Sequence, residues 1–198
     1  MTRRWTIAEF DLIAPFALWM VLMALLPPTP AMYVVRVAAV AALVLALALR
    51  GRWYARVRFS AGALVWGVAA GLAVFAIWIG PESCAWYRKF GVLGEGGTAG
   101  IAAAPAAMKA IRLVGSATVI ALAEELFFRR WLMRWAGFGW MVALFAIEHD
   151  RYLVAAAAGI VYGLLARRRG LFAAVVAHGV TNLVLGLYVL KTGAWQLW

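Results

Sequence analysis

Charge, cysteine, serine and imidazole are all scarce in this 198-residue chain, and the shortages narrow the classes of function open to it. Only 14% of residues are charged against 67% hydrophobic, with a mean hydropathy of +0.90. That leaves too little polar surface to cover a water-soluble globule of this size, so an integral membrane protein is expected. One cysteine, Cys84, excludes an internal disulfide and a cysteine-rich metal centre. Serine occurs only at Ser60, Ser83 and Ser116, and none stands in a Gly-x-Ser-x-Gly elbow. Zinc-protease signatures also fail. There is no His-Glu-x-x-His, and the inverted His-x-x-Glu-His form has Phe145 where its first histidine should be. Gly94, Gly96, Gly97 and Gly100 lack the following Lys-Ser or Lys-Thr of a phosphate loop, so the Gly80–Pro105 stretch reads as a plain external loop.

What the chain has in abundance is apolar runs without a period-two alternation, which argues for helices and against a barrel. Seven apolar segments are expected, near Phe10–Leu26, Met32–Leu49, Ala61–Ile79, Ala106–Phe128, Trp140–Glu148, Tyr152–Ala166 and Leu171–Leu190, the fifth of them short. The fold class is therefore all-α, a polytopic transmembrane bundle, with residues 1–198 forming one domain. No internal repeat or boundary divides it. The net charge of +11 would raise nucleic acid as a partner in a soluble protein. Here the arginines stand between apolar runs and read as topology signals, and membrane lipids are the expected surroundings. Arg3 and Arg4, then Arg50, Arg52, Arg56 and Arg58, then Arg129, Arg130 and Arg134, then Arg167, Arg168 and Arg169 all fall on one side. The positive-inside rule makes that side, and the N-terminus, cytoplasmic. Pro27-Pro28 arrives before any convincing cleavage site, so the first helix reads as retained. Trp5, Trp53, Trp78, Trp131, Trp135, Trp140 and Trp195, near expected helix ends, fit an interfacial belt.

Against this background three short polar patterns stand out. Glu124-Glu125-Leu126-Phe127-Phe128-Arg129 closes the fourth apolar segment, and helical spacing pairs Arg129 most directly with Glu125, which leaves Glu124 freer to handle a proton. Alone, it would read as an ion pair anchoring a helix end. Phe145-Ala146-Ile147-Glu148-His149 closes the short fifth segment, where a lone histidine is ordinarily an interfacial residue. Glu148 lies about 100° round from His149 on a continuing helix, and so is expected to be solvated and outside the site. His178 and Asn182 are four apart in the last segment, and so share one helical face. Ionisable groups at bilayer depth normally face an interior cavity. A carboxylate beside a neutral imidazole can deprotonate water, while a second imidazole and a carboxamide donate to an oxyanion. That set suits hydrolysis of an amide within the membrane. Glu124 and His149 can share a pocket only if the fifth segment is short, tilted or preceded by an interfacial stretch such as Trp131–Trp140.

Glu124-Glu125-x-x-x-Arg129, Phe145-x-x-x-His149 and His178-x-x-x-Asn182, in this order, resemble the signature of the CPBP intramembrane proteases, which include the type II CAAX prenyl endopeptidases and bacteriocin-processing proteins. The likeness covers about residues 108–190, the expected protease core. Tyr33 to Arg36 and Ala76 to Gly80 resemble the bacterial branch associated with exosortase systems. The resemblance implies that Glu124 acts with His149 on water, that His178 and Asn182 form the oxyanion site, and that Glu125 and Arg129 support the geometry. It implies a peptide, leader or C-terminal segment of a membrane-associated protein as substrate, and a bacterial inner-membrane location. Family members are described both as metalloproteases and as metal-free. Glu124, His149 and His178 could bind zinc with a water in the fourth position, but no metal or other cofactor is favoured, because Asn182 suits an oxyanion donor better than a zinc ligand. A transporter or binding module using the same polar cluster is the rival from another class, although the chain shows no paired inverted repeats.

Overall fold

The computed structural model describes residues 7–51, 59–93 and 100–198, which form eight helices with no strand among them. These are α1 (Ile7–Leu25), α2 (Pro30–Gly51), α3 (Ala61–Ile79), α4 (Ala85–Phe90), α5 (Ala106–Trp135), α6 (Phe138–Ile147), α7 (Tyr152–Arg169) and α8 (Leu171–Thr192). All seven expected apolar segments are present and α6 is the short one, so the chain is a helical membrane bundle. By length and composition α2, α3, α5 and α8 are long and apolar enough to cross a bilayer. Arg3, Arg4, Trp5, Arg52, Trp53, Arg56, Arg58, Gly94, Gly96 and Gly97 lie outside the described residues.

Lipid tails are as apolar as leucine, so helices in a bilayer are held by close packing and internal polar bonds rather than by escape from water. The α3–α8 pair uses both. A Cβ on Gly67 would stand 2.7 Å from Val176, and one on Gly71 would stand 2.6 Å from the Ala177 carbonyl oxygen, so only glycine lets the backbones approach this closely. The Thr181 hydroxyl lies 2.9 Å from the Gly71 carbonyl oxygen across the same seam. Gly67 faces Val176 while Gly71 faces Val180, so the two helices run parallel.

At the other side of the bundle, α1 packs on α5 through Phe16, which stacks on Phe127 with ring centroids 4.6 Å apart and meets Phe128 edge-on at 5.0 Å. Arg36 of α2 reaches back to the end of α1. Its Nε donates to the Leu22 carbonyl at 3.2 Å, and one Nη donates to the carbonyls of Leu26 and Pro27. A buried guanidinium thus donates to carbonyls at and just past a helix end, which closes the α1–α2 hairpin.

α5 departs from expectation. It continues past Phe128 to Trp135 and contains two π-helical stretches, Ser116–Ile120 and Leu126–Leu132. The Arg129 charge does not end the helix because Glu125, one turn earlier, neutralises it. The end comes at Gly137, whose φ of +90° favours glycine, and α6 then turns back. α5 runs ten residues outward from Glu125 to Trp135, and α6 returns ten from Phe138 to Ile147. His149 therefore arrives back at the level of Glu124, so a short fifth segment suffices to bring them together.

The stretch after α3 is also more than a plain loop. It forms a 3-10 turn at Gly80–Ser83 and then α4, and it docks on the residues that follow α6. Arg151 grips both carboxylate oxygens of Glu82, at 2.7 and 3.3 Å, and donates to the Gln196 carbonyl at 2.9 Å. The Leu93 amide donates to the Asp150 carbonyl at 2.6 Å, and the Tyr152 hydroxyl bonds to the Phe90 carbonyl.

Candidate active site

Side chains from α3, α5, α7 and α8, together with the end of α6, enclose a cavity of about 160 Å³. Glu124, His149, His178 and Asn182 all line it, so the three separated sequence patterns converge on one volume. Glu125 and Arg129 stand behind it. The Arg129 guanidinium pairs with Glu125 Oε1 at 2.8 Å, as their helical spacing predicts, and both side chains are fully buried. The same carboxylate oxygen accepts a bond from His178 Nδ1 at 2.9 Å. A carboxylate in an ion pair accepts but does not donate, so the Nδ1 proton is on the histidine and Nε2 faces the cavity.

Glu124, its sequence neighbour, is placed quite differently. Its Oε2 has no hydrogen-bond partner, although it is buried, and His178 Nε2 lies 3.7 Å away. His149 is oriented by its own helix. Its Nδ1 lies 2.8 Å from the Phe145 carbonyl oxygen one turn back, and a carbonyl only accepts, so Nδ1 carries the proton. Nε2 is left with a lone pair. Asn182 donates one amide N–H to the Ser116 carbonyl at 3.0 Å, the carbonyl at which the first π stretch begins, and retains a second N–H.

Aromatic rings hold these groups in place. Tyr162 stacks on His178 with centroids 5.1 Å apart and planes 20° apart, and its hydroxyl donates to Thr181 at 2.7 Å. Phe145 touches both histidine rings, and the Arg129 guanidinium lies 4.0 Å from its centroid. Trp78 meets His149 edge-on at 5.8 Å. Trp78 therefore lines the cavity rather than serving only as a belt residue, a role that its position near a helix end concealed. Tyr162 and Thr181 were likewise missed. Thr181 lies between His178 and Asn182, three residues after one and one before the other, and a polar side chain on a buried stretch of α8 was the signal available.

One expectation needs correction. Glu148 is half-buried rather than fully solvated, although it does not line the cavity. One of its carboxyl oxygens is buried without a partner, and the group acts electrostatically on Glu124 and is acted on by Arg129. Three carboxylates thus gather about one guanidinium. Zinc can be tested against the donors present. Among the described residues no three His, Cys, Asp or Glu side chains are grouped so as to hold a metal ion.

Residues 105–184 match the Type II CAAX prenyl endopeptidase Rce1-like family. The match runs from the start of α5 into α8 and contains all three polar patterns. It leaves out α1 to α3, the region behind the likeness to the exosortase-associated branch. Neither a curated protein nor a solved structure matches the chain. Membership in an Rce1-like family implies an intramembrane CAAX-type protease acting on a membrane-associated protein.

Proposed function

We propose that the chain hydrolyses a peptide bond of a membrane-associated protein, with Glu124 and His149 activating the water and with His178 and Asn182 stabilising the oxyanion. The observation that carries this reading is the buried, unpartnered Glu124 Oε2 facing a cavity shared with two imidazoles. Water held between the Glu124 carboxylate and the His149 Nε2 lone pair gives up a proton as its oxygen adds to the scissile carbonyl carbon. The carbonyl oxygen becomes an oxyanion. It is met by the free Asn182 N–H and by His178 Nε2 when that nitrogen is protonated, a state that the Glu125 carboxylate on Nδ1 balances. Collapse breaks the C–N bond, and the abstracted proton passes to the leaving amine. Glu125 and Arg129 are positioning residues, because they hold His178 and touch no reacting atom.

The site is read as metal-free, within an inner membrane of a bacterial cell and with the N-terminus cytoplasmic. Membrane-protein termini are compared by mass spectrometry between cells carrying the intact gene and cells carrying Glu124→Gln, His149→Ala or His178→Ala. Each variant is expected in the membrane at normal abundance with its substrate uncleaved. Near-normal processing in any one of them overturns the assigned role, and normal processing in all three points to a transporter or binding module. The zinc-dependent version is tested on purified protein. Activity that is lost to a strong zinc chelator and restored by added zinc would replace the metal-free reading.

A further inference from the structure

Arg112 of α5 also lines the cavity, and the reaction described above does not use it. The other buried guanidiniums have a partner for their charge: Arg129 pairs with Glu125, Arg151 pairs with Glu82, and Arg36 donates to three carbonyls. No ion pair among the described residues includes Arg112, and its Nε is buried without a hydrogen-bond partner. Its two neighbours are rings. Tyr33 and Trp198 lie 4.5 and 5.2 Å from its guanidinium carbon. Aromatic rings engage the flat faces of a guanidinium and leave its in-plane N–H donors unfilled, and that edge matches the two oxygens of a carboxylate.

Position along the bundle adds a distance. Leu113, next to Arg112, packs on Gly186 of α8, while Glu125 bonds to His178. Because α5 and α8 are antiparallel, Arg112 stands level with about Leu187, nine residues along α8 from His178, which is about 13 Å at the helical rise, and it lies about 18 Å along α5 from Glu124. An extended peptide covers such a span in about four or five residues.

Resting on the protease reading, we propose that Arg112 is the receptor for a carboxylate of the substrate, held about four or five residues from the scissile bond. That carboxylate belongs either to the peptide's own C-terminus or to an acidic side chain. A lipid phosphate is the other anion available in a membrane, but the common cavity with Glu124 and both imidazoles favours the substrate.

The test uses the full chain in phosphatidylcholine vesicles and a library of apolar peptides in two matched pairs. One pair carries a C-terminal free acid or amide, and the other carries internal Asp and Glu or Asn and Gln. A charge-assisted pair in a desolvated site predicts about a tenfold faster cleavage of the acid in at least one pair. The pair that discriminates names the source. In Arg112→Gln the acid-to-amide ratio falls to about one, and in Arg112→Lys, which keeps the cation but loses the fork, it lies between. Because the ratio is first read on the unaltered protein, a folding defect in Arg112→Gln does not remove the test. Equal cleavage of acid and amide in both pairs by the unaltered protein overturns the proposal and leaves the protease reading intact, as does a ratio unchanged in Arg112→Gln. Binding of the same peptides to Glu124→Gln protein separates the two ideas the other way. Preferential binding of acids that is lost on adding Arg112→Gln, from a protein whose unaltered form cleaves nothing, keeps the receptor and ends the protease reading. Stabilisation by phosphatidylglycerol that depends on Arg112, without any preference among the peptides, overturns the proposal in favour of lipid.

Discussion

Glu124 and Glu125 are adjacent and chemically identical, yet the fold gives them different surroundings, and one turn of helix accounts for the difference. Arg129 sits where it meets Glu125 and not Glu124, so Glu125 is fixed in an ion pair at 2.8 Å with a histidine on the same oxygen. Removing it strands a fully buried guanidinium. Glu125→Ala should therefore destabilise the protein by about 3–5 kcal/mol, whereas Glu124→Gln keeps its shape in place and should leave the melting temperature in detergent nearly unchanged while abolishing cleavage. Thermal unfolding of the two variants, measured side by side, checks this, and equal losses of stability would contradict it. Asn182→Ala should lower kcat by about 10²–10³, the usual effect of losing one oxyanion donor. The division between the two glutamates was legible from spacing alone. The fate of Glu148 was not, because the 100° argument requires the helix to continue, and α6 ends at Ile147. A residue past a helix end is aimed by its loop, which sequence periodicity does not describe.

At the scale of elements, the seven apolar segments were readable because each is long, uniformly apolar and bounded by arginine, glycine or proline. The two π stretches of α5 were not, since an extra residue in a turn leaves no mark on composition. Their consequence for the site is direct. Arg112 and Glu124 are twelve residues apart, and on an unbroken α-helix they would point about 120° from each other. One π turn absorbs one residue and brings them to within about 20°, so both reach the same cavity. Deleting one residue from this stretch returns it to α geometry with both flanks in their present orientation. Deletion of the exposed Thr118 is thus expected to preserve cleavage and thermal stability. Deletion of Val161 from the wholly α-helical α7 rotates Tyr162 by about 100° away from His178 and should abolish both. If the two deletions are equally damaging, the π stretch is not what aligns the site. Gly71→Val bears on the other seam. Its Cβ would stand 2.6 Å from a carbonyl oxygen of α8, so the parallel pair must separate, and a large fall in melting temperature is expected.

For the molecule as a whole, the side from which substrate enters was undecidable from the sequence, because three motifs on a string carry no depth. Packing shows at which end of the bundle the cavity lies. The cavity gathers Trp78 from the last turn of α3, Arg112 from the second turn of α5, His149 just past α6, Leu185 from the second half of α8, and Trp198 beyond α8. All of these belong to one end of the bundle. Arg134 and Arg167 to Arg169 belong to the other. If the arginine end is cytoplasmic, as the positive-inside rule requires, the cavity lies toward the opposite face, where Cys84 and Gln196 are exposed. Because the chain has one cysteine, a membrane-impermeant maleimide reads this directly. Intact spheroplasts should label Cys84, and should label Gln196→Cys in a Cys84→Ser background. Arg168→Cys in the same background should react only after permeabilisation. Labelling of Arg168→Cys in intact cells with Cys84 protected would invert the bundle and open the cavity to the cytoplasm. Labelling of both from one side would mean that the helices between them do not cross the membrane as alternating spans.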